Sequence, residues 1–135
     1  DFNEADHCLP LDELGMIDRW ALSKTGDLIM ELTDAMESYE LHRAVQLINR
    51  FCSGVLSSTY HDIIKDRLYT LHHDDPKRRS TQTAIFKIFE TFVSLIGPLL
   101  PFTADEAWSF HKTKQKLGSD FLVLQKWPES DQAWI

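Results

Sequence analysis

A chain of 135 residues is about the size of one domain, and its 43% apolar and 26% charged residues exclude a disordered or fibrous protein. No apolar run of about 18 residues and no secretory signal is present, so membrane-spanning and secreted classes are excluded and a cytoplasmic protein is expected. Two cysteines, Cys8 and Cys52, are too few for a disulfide framework or a structural zinc site, and we expect both to be free thiols.

The charge is distributed unevenly along the chain. Residues 1–40 hold 11 acids and 2 bases, residues 41–90 hold 5 acids and 8 bases, and residues 91–135 hold 5 acids and 4 bases. The net charge of −7 disfavours binding of nucleic acid by the chain as a whole, because cations supply most of the affinity for phosphates. The middle segment is therefore the only one that would attract a polyanion.

Helical patterns begin after an N-terminal segment, residues 1–15, that is predicted to be irregular. From residue 18 to 39 apolar residues recur every three or four positions, which predicts a long amphipathic helix. Ser38-Tyr39-Glu40 interrupts this pattern, and a second one follows from residue 41 to 68. Glycine and serines at residues 53–59 weaken the second pattern, so we expect a kink or a new helix there.

The second half of the chain predicts two further helices. Pro76 can begin the first of them, because its fixed φ suits a helix start, and Gly97-Pro98 ends it. Residues 103–106, Thr-Ala-Asp-Glu, have the spacing of a capping box, which predicts a short helix from Thr103 to about His111. Residues 121–124 are the only stretch that we predict to be extended.

These patterns predict an all-α fold: an antiparallel helical bundle of four to five helices with a short extended C-terminal segment. Each apolar stripe needs another to cover it, and short connections place neighbouring helices side by side. We assign residues 1–15 to the irregular N-terminal segment, residues 16–112 to the bundle, and residues 113–135 to a C-terminal extension that packs on it.

Little in the sequence carries chemistry. The five glycines are scattered singly, which excludes a glycine-rich phosphate loop, and no signature joins a nucleophile to a base. His72-His73-Asp74-Asp75 offers metal-ligand atoms, but adjacent side chains on a loop rarely converge on one ion, so a solvated loop is the preferred interpretation. We predict no catalytic residue and no metal site.

The basic middle segment is the candidate binding site. Its members are two cations and a tyrosine at residues 65–69 and three further cations at residues 77–79: Lys65, Arg67, Tyr69, Lys77, Arg78 and Arg79. Ammonium and guanidinium groups bind phosphates, and an aromatic ring can stack on an unpaired base, so the mixture suits RNA. The alternative is that these cations pair with nearby acids or solvate a helix start, which is the commoner fate of a charge run.

Five stretches in order resemble successive signatures of the anticodon-binding domain of class I isoleucyl-tRNA synthetases, and more closely those of the bacterial type. They are Asp18-Arg19-Trp20-Ala21-Leu22-Ser23, Ile64-Lys65-Asp66-Arg67-Leu68-Tyr69, Arg78-Arg79-Ser80-Thr81-Gln82-Thr83-Ala84, Pro98-Leu99-Leu100-Pro101-Phe102-Thr103-Ala104-Asp105-Glu106-Ala107-Trp108 and Trp127-Pro128. The fourth stretch also resembles its counterpart in valyl and leucyl enzymes. Where relatives often read Ser-Val-His-Leu before Trp-Pro, this chain reads Phe121-Leu122-Val123-Leu124.

The resemblance implies a helical bundle that docks on the anticodon stem-loop of isoleucine tRNA. A separate catalytic domain of the same polypeptide would then activate isoleucine with ATP and Mg and transfer it to the tRNA. The catalytic signatures of the family, its editing domain and the zinc module that many bacterial members carry near their C-terminus are all missing here. The chain is therefore predicted to be a fragment of the ligase that holds no cofactor and does not catalyse the reaction by itself.

The resemblance also assigns the basic segment. It implies that Lys65, Arg67, Lys77, Arg78 and Arg79 contact the anticodon arm and that Tyr69 stacks on a base. Two other classes remain open: a helical protein-interaction module that does not bind RNA, and a helical enzyme, which would need convergent polar residues in a pocket.

Overall fold

The computed structural model describes residues 2–111 and 122–134, and within these ranges the chain is all-α with no strand, as predicted. The helices are α1 (Glu4–His7), α2 (Met16–Glu37), α3 (Leu41–Arg50), a π-helical segment (Phe51–Tyr60), α4 (His61–Thr70), α5 (Pro76–Ile96) and α6 (Pro101–Ser109). Single 3-10 turns lie at Leu11–Glu13, Leu122–Leu124 and Gln132–Trp134. None of the helices in the described ranges is both long and apolar enough to cross a membrane.

Helix α2 buries one face along its whole length. Its buried residues follow the helical spacing of the sequence, and the fully or nearly fully covered ones include Leu22, Leu32 and Ala35. The helix ends where Tyr39 adopts the left-handed conformation, with φ of 57°, and the amide of Glu40 donates to the carbonyl of Ala35 at 2.8 Å. The predicted interruption at residues 38–40 is therefore confirmed.

Helix α3, the π-helical segment and α4 form one continuous helical run from residue 41 to 70. The sequence predicted a kink or a new helix near residues 53–59, and the structure instead widens the winding without a break in the helix. The hydroxyls of Ser58 and Thr59 donate to the carbonyl of Gly54 at 2.8 and 3.1 Å, which supplies partners inside the wider turns. Buried rings of Phe51 and Tyr60 hold the two ends of the segment against the core.

The expected start of α5 is confirmed, whereas that of α6 is wrong. The side chain of Asp75 caps α5 by accepting from the amide of Lys77 at 2.8 Å, and Pro76 occupies the first turn. Helix α6 begins at Pro101, and its N-cap position, Leu100, makes no side-chain bond. Because the fixed φ of Pro101 starts the helix early, Thr103 lies inside the first turn and forms no capping box.

The described part of the C-terminal extension, residues 122–134, packs on the bundle. Residues 122–124 were predicted to be extended but form a 3-10 turn, because Leu122 is buried in a small cluster with side chains of α5 and α6; Phe121 lies outside the described residues. The indole nitrogen of Trp127 donates to the hydroxyl of Thr33 on α2 at 2.9 Å. The N-terminal segment, predicted to be irregular, contains α1 and a 3-10 turn, and the amide of Leu9 donates to Thr83 of α5 at 3.1 Å.

Candidate nucleic-acid interface

A buried carboxylate organises the region where the basic segment folds. Asp18 is fully covered, at 0% exposure, and its oxygens accept hydrogen bonds from four side chains. Oδ1 accepts from the hydroxyls of Tyr60 at 2.7 Å and Thr81 at 3.0 Å. Oδ2 accepts from the hydroxyl of Ser80 at 2.6 Å and from Nη1 of Arg67 at 3.3 Å. We call these five residues the Asp18 hub.

The hub joins three separate helical parts of the chain. Asp18 lies in the first turn of α2, where the helix dipole also favours an anion, while its partners come from the π–α4 run and from α5. The amide of Gly15 donates to Ser80 at 2.8 Å. A Cβ at Gly15 would lie 3.3 Å from Oδ2 of Asp18 and 3.6 Å from Arg67, so glycine leaves room for the network.

Tyr60 acts as a donor in the hub. Burial raises the pKa of the Tyr60 phenol far above its ordinary value, and the negative charge of Asp18 raises it further. The phenol therefore keeps its proton at neutral pH and donates it in the hydrogen bond to Asp18. A buried charge needs such partners, because an unpaired one would lose several kcal/mol on leaving water.

Two other predicted site residues also turn inward. The guanidinium of Arg78 on α5 donates from Nη1 to the carbonyls of Leu68 and Leu71, so it ties α5 to the end of α4. Arg79 is buried, donates to the side chain of Gln82 at 2.9 Å and lies 3.7 Å from the carboxylate of Asp74. Arg67 and Arg78 therefore connect helices, whereas Arg79 joins α5 to the loop that precedes it.

The remaining predicted residues face solvent. Tyr69 on α4 is 85% exposed. Lys77 in the first turn of α5 is exposed, and its ammonium has no hydrogen-bond or ion-pair partner among the described residues. Lys65 is exposed and lies 2.9 Å from the carboxylate of Asp62, one turn away. The hydrogen bond to Asp62 raises the pKa of Lys65, so its ammonium stays charged. We call Lys65, Tyr69 and Lys77 the α4–α5 corner.

The structure thus divides the six predicted residues into two groups of three. Sequence reasoning missed the acid that causes this division. Asp18 falls on the same helical face as Ala21, Leu22 and Thr25, at steps of three, four and seven residues. An acid on the apolar stripe of an amphipathic helix predicts a buried charge in need of donors, and this was the available signal.

The described residues include one group of side chains that could offer ligand atoms to a metal ion. The described groups that could hold a metal consist of His72, His73 and Asp74, whose ligand atoms lie within 4.8 Å of one another on an exposed loop. In that loop His72 already accepts from the amide of Asp74 at 3.3 Å, and His73 lies 3.1 Å from its carboxylate. Cys8 and Cys52 are free thiols, and burial raises the pKa of Cys52. A four-ligand structural zinc site cannot be built from this set.

A largely apolar cleft opens beside α6 among the described residues. It has a volume of about 610 Å³ and lies between the end of α5, α6 and residues 122–127. Its lining is mostly apolar, with Phe102 91% exposed, and its charged members are Asp105 and Lys126. The hydroxyl of Ser94 donates to the carbonyl of Glu90 at 3.0 Å, so it is not activated by a base.

Comparisons with known proteins identify the family. Residues 18–134 match the family described as anticodon-binding domain of tRNA ligase. The chain is 38% identical over 134 residues to the isoleucine–tRNA ligase of Thermoanaerobacter sp. (strain X514), and 37% over 134 residues to that of Prochlorococcus marinus (strain MIT 9211). It is 41% identical over 109 residues to that of Stenotrophomonas maltophilia (strain R551-3). These alignments cover 99%, 99% and 81% of this chain but 14%, 14% and 12% of the relatives, so the chain spans a small part of their length. The match over most of its residues shows that the chain belongs to the family of anticodon-binding domains of tRNA ligases.

Proposed function

We propose that this chain binds the anticodon arm of isoleucine tRNA through the α4–α5 corner. The observation that carries the proposal is that Lys65, Tyr69 and Lys77 face solvent while Arg67 and Arg78 fix the helices beneath them. The two ammonium groups would contact phosphates, and the exposed ring of Tyr69 would stack on an unpaired base of the loop. The names of the relatives support isoleucine tRNA as the cognate species.

The inward-facing Arg67 and Arg78 hold the helices in fixed positions beneath the corner. Arg67 belongs to the Asp18 hub, and Arg78 spans from α5 to the last carbonyls of α4. In this proposal these residues set the positions of Lys65, Tyr69 and Lys77 and do not themselves neutralise phosphates. Binding would then require few side-chain rearrangements and would lose little conformational entropy, because the α4–α5 corner is fixed before RNA arrives.

The chemistry of a complete ligase would lie elsewhere in the polypeptide. We propose that a catalytic domain on the same chain, using ATP and Mg in the cytoplasm, joins isoleucine to the tRNA that this domain holds. The residues here supply none of that chemistry: their contribution is to orient the far end of the tRNA. The fragment alone is expected not to turn over isoleucine and ATP.

The proposal is tested by binding of labelled tRNA to the chain, measured by fluorescence anisotropy at about 50 and 200 mM salt. We expect preference for isoleucine tRNA over a non-cognate tRNA and a loss of roughly tenfold in affinity at the higher salt. Lys77→Gln and Lys65→Gln should each weaken binding several-fold. The matched control is Lys24→Gln, on the acidic helix α2, which should change little.

Stacking by Tyr69 has its own matched control. Tyr39 is 89% exposed, against 85% for Tyr69, but lies at the turn between α2 and α3. Tyr69→Ala should lower affinity by roughly fivefold or more, in line with the loss of one stacked base, and Tyr39→Ala should not. Absence of tRNA binding by the wild-type chain, or equal binding of all variants, would overturn the proposal and favour a protein-interaction module.

A further inference from the structure

The outer face of α3 and the π-helical segment lacks acids in an otherwise acidic chain. From residue 41 to 61 the sequence contains no Asp or Glu, although the whole chain holds 21 acids and has a net charge of −7. The same stretch holds Arg43, Arg50 and two histidines. A polyanion that approached this part of the molecule would meet no carboxylate from the helix that it touches.

The face is defined by what the helix buries. Ala44, Leu47 and Phe51 point into the core, so the opposite side of the helix faces solvent. Val45 is exposed on that side. The exposed polar residues there carry amide, guanidinium, imidazole and hydroxyl groups: His42, Gln46, Asn49, Arg50, Ser53, Ser57 and Ser58. We call this surface the α3–π face.

Arg50 is the principal cation of the α3–π face. Its side chain is exposed and has no hydrogen-bond or ion-pair partner among the described residues, and the amide of Asn49 next to it is also exposed. Arg43, at the start of α3, is already engaged, because Nη1 lies 2.7 Å from Asp34 and 3.5 Å from Glu40. Arg43 therefore offsets part of the negative charge of these two acids at the α2 end of the face.

We infer that the α3–π face is a second contact surface for the same RNA and binds the sugar-phosphate backbone of its stem. The inference rests on the proposed function. Lys65 and Tyr69 of the α4–α5 corner lie on the same helical run as this face, because α3, the π-helical segment and α4 follow one another without a break. Arg50 would bind a phosphate, and the amides of Asn49 and Gln46 would donate to phosphate or 2′-hydroxyl oxygens, the groups that an A-form stem displays.

Gly54 allows a sharp test of this surface. It is exposed, and a Cβ there would meet nothing within 4 Å, so the position accepts a side chain. Gly54→Glu places one negative charge on the acid-free face, and Gly54→Gln adds a side chain of nearly the same shape without the charge. Because both replace glycine in a helix, any effect on the helix itself is common to the pair.

The experiment measures anisotropy of labelled isoleucine tRNA with the 135-residue chain at about 50 mM salt. We expect Gly54→Glu to bind three- to tenfold more weakly than Gly54→Gln, with the gap narrowing at about 200 mM salt, and Arg50→Gln to lose a similar factor. The control pair is Thr103→Glu and Thr103→Gln, at an exposed position of α6, which should agree within about twofold because screened charges act locally.

The outcomes separate this inference from the proposed function. In one outcome, Lys65→Gln and Lys77→Gln weaken binding, but Gly54→Glu binds as tightly as Gly54→Gln and Arg50→Gln binds as tightly as the wild type. The α3–π face is then not a contact surface, and the α4–α5 corner alone binds the RNA. If the Thr103 pair shows the same gap as the Gly54 pair, the effect is one of net charge and the inference fails. A wild-type chain that binds no tRNA overturns both.

Discussion

Lys65 and Arg67 lie two residues apart on α4, and each faces an aspartate, yet they belong to different regions of the molecule. Lys65 pairs at 2.9 Å with Asp62, and both side chains are more than half exposed. Arg67 lies 3.3 Å from Asp18, which is fully covered, and is itself 27% exposed. The inner region ties helices together, whereas the outer one leaves its charge available to a ligand. Burial of the partner acid, rather than the identity of the cation, decides which role a basic residue has.

The largest expected effect in this comparison is on the hub. Asp18→Asn removes the charge that faces Arg67 and replaces one acceptor oxygen by a donor, so the side chains that donate to that oxygen lose their acceptor. We expect the free energy of unfolding, measured with urea, to fall by about 3 kcal/mol. The matched control is Asp27→Asn, whose carboxylate pairs with Lys24 at the surface and should change stability by less than about 0.5 kcal/mol. Equal effects of the two substitutions would remove the distinction between the regions.

Adjacent residues Lys77 and Arg78 provide the next test. Arg78→Lys keeps the charge but loses the planar fork that reaches two carbonyls, so we expect stability to fall by about 1–2 kcal/mol. Binding of tRNA by the folded variant should stay within about twofold of the wild type, at a temperature well below its unfolding midpoint. Lys77→Gln should show the reverse pattern, with stability unchanged and affinity reduced. An Arg78→Lys variant that is as stable as the wild type but binds tRNA weakly would mean that Arg78 contacts the RNA directly.

Tyr60→Phe should have a smaller effect that depends on pH. Removal of the hydroxyl leaves Asp18 with one donor fewer, and about 1–2 kcal/mol of stability should be lost at neutral pH. The folded wild type holds the phenolic proton, because its pKa is raised, whereas the unfolded chain releases it above about pH 10. The free energy of unfolding of the wild type should therefore fall as pH rises through that value. Its difference from that of Tyr60→Phe should become smaller. A gap that stays constant in urea titrations from pH 8 to about 11 would contradict this reasoning.

The smallest effect is expected at Lys65. Lys65→Gln breaks only an exposed ion pair, so the midpoint of thermal unfolding should stay close to that of the wild type. Asp62→Asn, which breaks the same pair from the other side, should have a similarly small effect on stability. The two variants should differ in tRNA affinity, since Lys65→Gln removes a cation from the surface and Asp62→Asn removes an anion. A clear fall of the unfolding midpoint in either variant would mean that the outer region also holds the fold together.

Most helices of the fold could be predicted because their signals are local. The period of apolar residues gives α2, and the Asp75–Pro76 start gives α5. The start of α6 was missed because two local signals competed, and the fixed φ of Pro101 prevailed over the capping spacing at Thr103. Residues 122–124 were missed because their conformation depends on burial of Leu122 against α5 and α6, which a single stretch of sequence does not contain.

The candidate site was predictable only as a region. Composition located the basic segment, but it could not say which cations turn inward, because that depends on acids distant in sequence. Asp18 is 49 residues from Arg67 and more than 60 from Ser80 and Thr81. Arg78 is satisfied by backbone carbonyls of α4, which have no residue signature at all. Such contacts become visible only when the helices are packed together.

The π-helical segment also determines the rotational phase between α3 and α4. A π-helix advances by about 80° per residue against about 100° for an α-helix, and over its 10 residues the difference reaches roughly half a turn. With regular α-helical winding through residues 51–60, α4 would be rotated so that Ile64 faced solvent and Asp66, about 200° from Ile64 around the helix, faced the core. Insertion or deletion of one residue in this segment would turn α4 by about 100°. Length changes should therefore be far less tolerated here than in the exposed loop at residues 72–75.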